Sequence, residues 1–174
     1  MTANELIEKL NLTPLPSEGG YYRESYRSDV EKIDASQFGI DSKSQRNVCT
    51  AIYFLVIPES FSALHKVKSD EIFHFYGGDP AEMIQIDESG ALQRITLGNR
   101  IDLGEVPQVV VRRGVWQGLR LKDGGQWALT GTTVAPGFEF EDFELGDRAQ
   151  LTKQFPQHRE DILRYSREPN EKAH

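Results

Sequence analysis

The sequence predicts a mainly β domain, a sandwich or barrel, with short helices at its two ends. Apolar runs of strand length recur at spacings of about 8–12 residues, the rhythm of a sandwich or barrel. Turn-forming clusters separate them: Gly77-Gly78-Asp79-Pro80, Asp87-Glu88-Ser89-Gly90, Gly98-Asn99 and Asp123-Gly124-Gly125. The longest apolar run, Ala51 through Ile57, is seven residues. That length suits a strand and falls far short of the roughly 20 residues a bilayer-crossing helix requires.

In chain order, Thr2-x-x-Glu5 forms a capping box ahead of Leu6, Ile7 and Leu10, which predicts a helix over 3–10 that stops before Pro14. Pro16-Ser17-Glu18-Gly19-Gly20 reads as a turn, and Tyr21 to Tyr26 as a strand. Residues 28–46 are polar and aperiodic, hence a long loop. The β core runs from about 48 to 145: first 48–57, ended by Pro58, then runs near 61–67, 71–76, 82–86, 91–97, 107–111, 115–121 and 126–134. Residues 148–165 are helical in composition, interrupted by Pro156, and 168–174 form a fraying tail. A chain of 174 residues and 19.7 kDa is expected to be one domain over 1–174.

Charge and cysteine content narrow the function. Twenty Lys and Arg against 27 Asp and Glu give a net charge of −7 and a pI near 5.1. This balance is unsuited to nucleic-acid binding through counterion release. A single cysteine, Cys49, excludes an internal disulfide framework and a four-cysteine zinc site. The first residues lack the basic-then-apolar layout of a secretion signal. The expectation is a soluble cytoplasmic protein with no nucleic-acid or membrane partner.

Two of the four histidines fall in the β core. His65 and Val67 share a strand face, with Glu71 across a short turn, so an imidazole and a carboxylate can be aimed at one point. Val115, Gln117, Leu119 and Leu121 alternate onto one face, where the Gln117 amide needs hydrogen-bond partners. His74 faces opposite Phe73 and Phe75 and reads first as structural; a bulge near Asp70 would turn it inward. Arg23 reads as a surface ion pair with Glu24 or Asp29, Arg112-Arg113 as a solvated turn, and Cys49 as a buried inert thiol. The run 139–144 reads as an edge segment with buried rings and solvated carboxylates. No phosphate cradle, nucleophile elbow or His-Glu-x-x-His pattern is present.

The spacing His65-x-Val67-x3-Glu71-x6-Gly78 resembles the first cupin motif, His-x-His-x3–4-Glu-x6-Gly, with Val67 in place of the second His. The second motif, Pro-x-Gly-x2-His-x3-Asn, falls on residues 112–121. It retains Gly114 and carries Arg112, Gln117 and Leu121 for Pro, His and Asn. The stretches 19–28, 64–76, 123–129 and 134–146 resemble the DUF985 (cupin-5) family of the cupin superfamily. The resemblance implies a double-stranded β-helix, a jelly-roll-like barrel with short terminal helices, commonly a homodimer.

Within that resemblance a cupin metal site would fall on His65, Glu71 and Gln117, with Val67 unable to bind. A divalent transition metal is therefore possible, but no cofactor is the favoured expectation, because imidazole is the better ligand for such ions. The same residues support a metal-free epimerase or isomerase acting on a small polar, carbohydrate-like ligand. There His65 is the base, Glu71 orients it, and Tyr53 or Tyr22 returns the proton from the other face. Gln117, Tyr22, Tyr53 and His74 are the candidate ligand-binding residues. A metal-dependent oxygenase or isomerase with a reduced ligand set and a non-catalytic binding module remain the alternatives, since cupin fold alone does not specify reaction.

Overall fold

The computed structural model describes residues 1–40 and 45–167. The predicted tail at 168–174 lies outside the described residues, as does the 41–44 part of the predicted loop. Helix α1 (Ala3–Leu10) starts on the capping box, with Thr2 and Glu5 each satisfying the other's backbone N–H. Thirteen strands follow among the described residues: β1 (Thr13–Pro14), β2 (Tyr21–Arg27), β3 (Ile33–Asp34), β4 (Gln45–Arg46), β5 (Thr50–Val56), β6 (Ser62–Val67), β7 (Asp70–Gly78), β8 (Ala81–Ile86), β9 (Leu92–Leu97), β10 (Gln108–Val111), β11 (Trp116–Leu121), β12 (Ala128–Ala135) and β13 (Phe143–Leu145). Helices α2 (Arg148–Gln154) and α3 (Arg159–Arg164) close the order, with a 3-10 turn beginning at Pro156 between them.

The strands form two main antiparallel sheets. One has six strands in the order β1-β2-β5-β12-β7-β10 and the other five in the order β13-β6-β11-β8-β9. Their inner faces meet in a core built from both, with Phe54, Val56, Phe73, Phe75 and Val109 from the first sheet against Met83, Leu97, Leu119 and Leu121 from the second. The outer face of the five-stranded sheet is covered by α2 and α3: Leu64, Ile84, Ile86 and Trp116 pack on Leu151, Phe155, Ile162 and Tyr165. α1 lies against the outer face of the six-stranded sheet, Leu6 meeting Leu55 and Leu12.

The predicted loop over 28–46 contains structure that periodicity could not reveal. β3 and β4 pair as a separate two-stranded ribbon. The Asp34 carboxylate accepts from the Ser36 backbone N–H and caps a 3-10 turn. Arg46 is 1% exposed and bonded through Nε to Asp142 Oδ2 at 2.9 Å; it also binds Glu141. These contacts are local side-chain caps or partners 96 residues away, neither of which produces an apolar repeat.

Candidate functional site

At one end the space between the sheets is open, a cavity of about 460 Å3 lined by residues of both sheets, the 15–18 turn and Phe138, Phe140 and Phe143. Strand alternation places the polar groups. On β6, His65 and Val67 face inward; on β7, Glu71 and Phe73 do. Gln117 on β11 lies directly opposite His65 in the ladder. The sequence spacing thus brings His65, Glu71 and Gln117 together, all of them buried.

The hydrogen bonds fix how they relate. His65 Nδ1 lies 2.8 Å from the Ala63 carbonyl, which can only accept, so Nδ1 carries the proton of the neutral ring. Nε2 then accepts from the Gln117 amide at 3.2 Å, and the same amide nitrogen donates to Glu71 Oε2. The imidazole and carboxylate are 4.0 Å apart at their nearest atoms. The orientation that sequence reasoning gave to Glu71 therefore comes from the Ala63 carbonyl, with Gln117 standing between His65 and Glu71. Phe143 stacks on the imidazole with ring centroids 5.2 Å apart.

Glu18 is the member that sequence reasoning missed. It lies in the predicted turn, where Gly19 and Gly20 adopt positive φ of 92° and 76°. A Cβ on Gly20 would sit 2.6 Å from the Phe54 ring, so only glycine lets the turn lie this close. The Glu18 carbonyl accepts from the Ala63 N–H, and its Oε1 accepts from the Ser62 hydroxyl at 2.7 Å. This Oε1 is 3.9 Å from His65 Nδ1, so two buried carboxylates flank one imidazole. Burial pushes Glu71 up to about 7; positive charge on His65, present only when the ring is protonated, and the Gln117 hydrogen bond oppose that rise, and the charge of Glu18 adds to it.

The other candidates divide between the two faces of the six-stranded sheet. Tyr22 lines the cavity. Tyr53 and His74 do not: both lie on the outer face, Tyr53 edge-on to Tyr76 at 6.1 Å, and His74 stacked with Tyr76. No bulge at Asp70 turns His74 inward; its Nε2 contacts Thr133 Oγ1 at 3.2 Å. Arg23 does not take the expected ion pair. Its guanidinium lies over the Tyr53 ring, its buried Nε has no hydrogen-bond partner among the described residues, and Glu24 instead pairs with Arg27. Cys49 is only partly buried, and desolvation pushes its thiol up, away from thiolate reactivity. Arg112 is exposed and pairs with Asp70 at 2.7 Å, while the Arg113 N–H donates to the same carboxylate. The run 139–144 is an edge segment as predicted, but its burial is reversed at two positions. Asp142 is buried against Arg46, and Phe140 is 62% exposed at the cavity mouth.

The donor set does not fit a tightly held transition metal. Val67 offers a hydrocarbon, Gln117 turns its amide N–H toward His65 and Glu71, and both nitrogens of His65 are engaged. Among the described residues, no group of three or more His, Cys, Asp or Glu is placed to hold a metal ion. No described helix is long and apolar enough to cross a membrane.

Comparison with known proteins places this geometry in a family. The model of the Cupin superfamily (DUF985) matches residues 4–146. An uncharacterized protein of Saccharomyces cerevisiae is 32% identical over 133 residues, covering 72% of this chain and 66% of the yeast protein. A hypothetical protein from Leishmania major superposes with a TM-score of 0.86 at 35% identity, over 97% of this chain and all of that one. Oxalate decarboxylase from Bacillus subtilis, an enzyme with Mn(II) centres, matches with a TM-score of 0.53 at 15% identity, over 90% of this chain and 37% of its own. That last likeness is one of fold alone. The chain belongs to the DUF985 family of the cupin superfamily and has the cupin fold.

Proposed function

We propose that this DUF985 cupin binds a small, partly apolar organic molecule between its sheets, and that Glu71 exchanges a proton with a carbon of that molecule. The reaction class is a metal-independent isomerisation or epimerisation. One observation carries the reading: a carboxyl group raised to about 7 stands in the wall of a largely apolar cavity of about 460 Å3. A group titrating close to the working pH is best matched to both taking and giving a proton. Its hydrogen bond to Gln117 engages Oε2, which leaves Oε1 available to a ligand.

This reading exchanges the roles expected from sequence. His65, with both nitrogens engaged, positions the Gln117–Glu71 pair and is not the base. Tyr22 is the cavity tyrosine able to meet a ligand from another side; Tyr53 faces away. The aromatic walls suit the apolar face of a sugar, but among the described residues the lining includes no Lys or Arg to hold the phosphates of a nucleotide sugar.

The test follows carbon-bound hydrogen by NMR in D2O across a panel of aldoses, ketoses and other small carbonyl compounds. Deuterium incorporation is expected for compounds that raise the melting temperature, with a profile bending near pH 7, and is lost in Glu71→Gln. Exchange that persists in Glu71→Gln refutes the role. A ligand that stabilises the protein without exchange supports instead a non-catalytic binding module. That second reading is favoured by the way Gln117 already satisfies both His65 and Glu71.

A further inference from the structure

The charge of the cavity wall specifies more than its shape does. Among the described residues three carboxylates line it, from Glu18, Glu24 and Glu71, and no Lys or Arg does. Glu24 is neutralised from outside by Arg27, which approaches it at 3.0 and 2.8 Å. Glu18 and Glu71 have no Lys or Arg partner among the described residues; His65, 3.9 and 4.0 Å from them, is a counter-ion only when protonated, and its Nε2 accepts from Gln117. The Glu18 and Glu71 side chains are only 12% and 8% exposed, and each makes one side-chain hydrogen bond through one oxygen, to neutral Ser62 and to neutral Gln117. Their second oxygens are without hydrogen-bond partners among the described residues, on side chains that line the cavity. Carboxylate oxygens that open onto a largely apolar cavity without a paired counter-ion are costly to ionise. Around them stand the rings of Tyr22, Phe54, Phe73, Phe138, Phe140 and Phe143. Aromatic faces carry negative quadrupole potential and attract cations, most strongly where water is excluded.

Resting on the reading of this cavity as the ligand site, we propose that its ligand carries a cationic amine or quaternary ammonium group, seated between Glu18 and Glu71 and walled by the aromatic rings. An anionic ligand would be repelled by either carboxyl group when ionised, and a neutral one would leave the buried Glu71 carboxyl in its protonated form. Entry of the cation favours ionised Glu71, so binding releases the Glu71 proton to solvent while the ligand keeps its own charge. The cation thereby converts Glu71 into the basic form that proton abstraction needs.

The test compares choline with its neutral carbon isostere, 3,3-dimethylbutan-1-ol, by titration calorimetry in two buffers of different ionisation enthalpy near pH 6.5. Choline is expected to bind at least about tenfold more tightly, within the range of a desolvated cation–π contact. Its binding should release a proton, and the preference should shrink in both Glu18→Gln and Glu71→Gln, with proton release lost in the second. Circular dichroism confirms that each variant is folded. A single folded variant suffices, because either one should lose preference for the cation. Equal or tighter binding of the neutral isostere, or no binding of choline at millimolar concentration, overturns the proposal. Deuterium exchange onto a neutral carbonyl compound would then still stand for Glu71 chemistry, so failure of the charge assignment is distinguishable from failure of the proton-transfer reading.

Discussion

Along β7 the inward side chains run Glu71, Phe73, Phe75, and the interior changes character along that line. Around Phe75 it is solid: Met83, Leu97 and Ala128 are fully buried, with Ala81, Val56 and Leu121 beside them. Around Glu71 it is a cavity. The same strands build both halves. β5 gives Val56 to one and Thr50 and Ile52 to the other, and β12 gives Ala128 to one and Thr132 and Val134 to the other. Strand alternation therefore sets which side chains point inward, while the closing segments decide whether the space is filled. Aliphatic residues of β8 and β9 plug one end. The 15–18 turn and the 138–143 segment wall the other without filling it.

The largest expected effect separates the halves directly. Met83→Ala removes a fully buried side chain from the solid end and should cost about 2–5 kcal/mol in urea unfolding. Phe140→Ala at the exposed cavity mouth should stay within about 0.5 kcal/mol. Comparable losses for the two variants would break the contrast.

Next is the dependence on pH, which belongs to the open half. Glu71 has a folded pKa raised from 4.5 to about 7. Its contribution to stability is fully present below 4.5 and is lost as pH rises through about 7. Glu71→Gln should therefore gain on the wild type across that window, reaching on the order of 3 kcal/mol at pH 8. Denaturation curves taken between pH 4 and 8 check this, and an offset constant with pH would contradict it.

The smallest effect lies outside both halves. Gly131 sits on the outer face of β12 beneath the Tyr76 phenol, where a Cβ would come within 2.2 Å of the hydroxyl oxygen. Tyr76 is 52% exposed and free to swing outward, so Gly131→Ala should change stability by less than about 1 kcal/mol and leave choline binding untouched. A larger loss would show that this aromatic face contributes to the fold as the solid half does.

The strands were legible because each is a short apolar run ended by Gly, Asp or Pro, and the runs from 61–67 through 126–134 coincide with β6 to β12 to within a few residues. His65, Glu71 and Gln117 were legible because alternation and a short turn determine where three side chains on paired strands must meet. Tyr53 was not. Its run is apolar at every position from Ala51 to Ile57, so alternation carries no phase, and only pairing with β2 and β12 puts Ile52 and Phe54 inside. Glu18 was hidden in a turn whose composition signals only a bend, and its approach to His65 depends on docking against β6. Asp142 looked solvated because its partner, Arg46, lies in a stretch without periodicity. What the sequence withheld was tertiary contact between irregular segments.

Those contacts also order the making of the protein. The bonds that fasten the cavity wall join Arg27 to Glu139 and Arg46 to Asp142, residues 112 and 96 positions apart. Every strand of the solid half lies before residue 136. During vectorial synthesis the strands of the solid half therefore leave the ribosome before 138–143 does. The cavity is thus walled later than the solid end and acquires Phe138, Phe140 and Phe143 only as this segment emerges, with α2 and α3 still to follow.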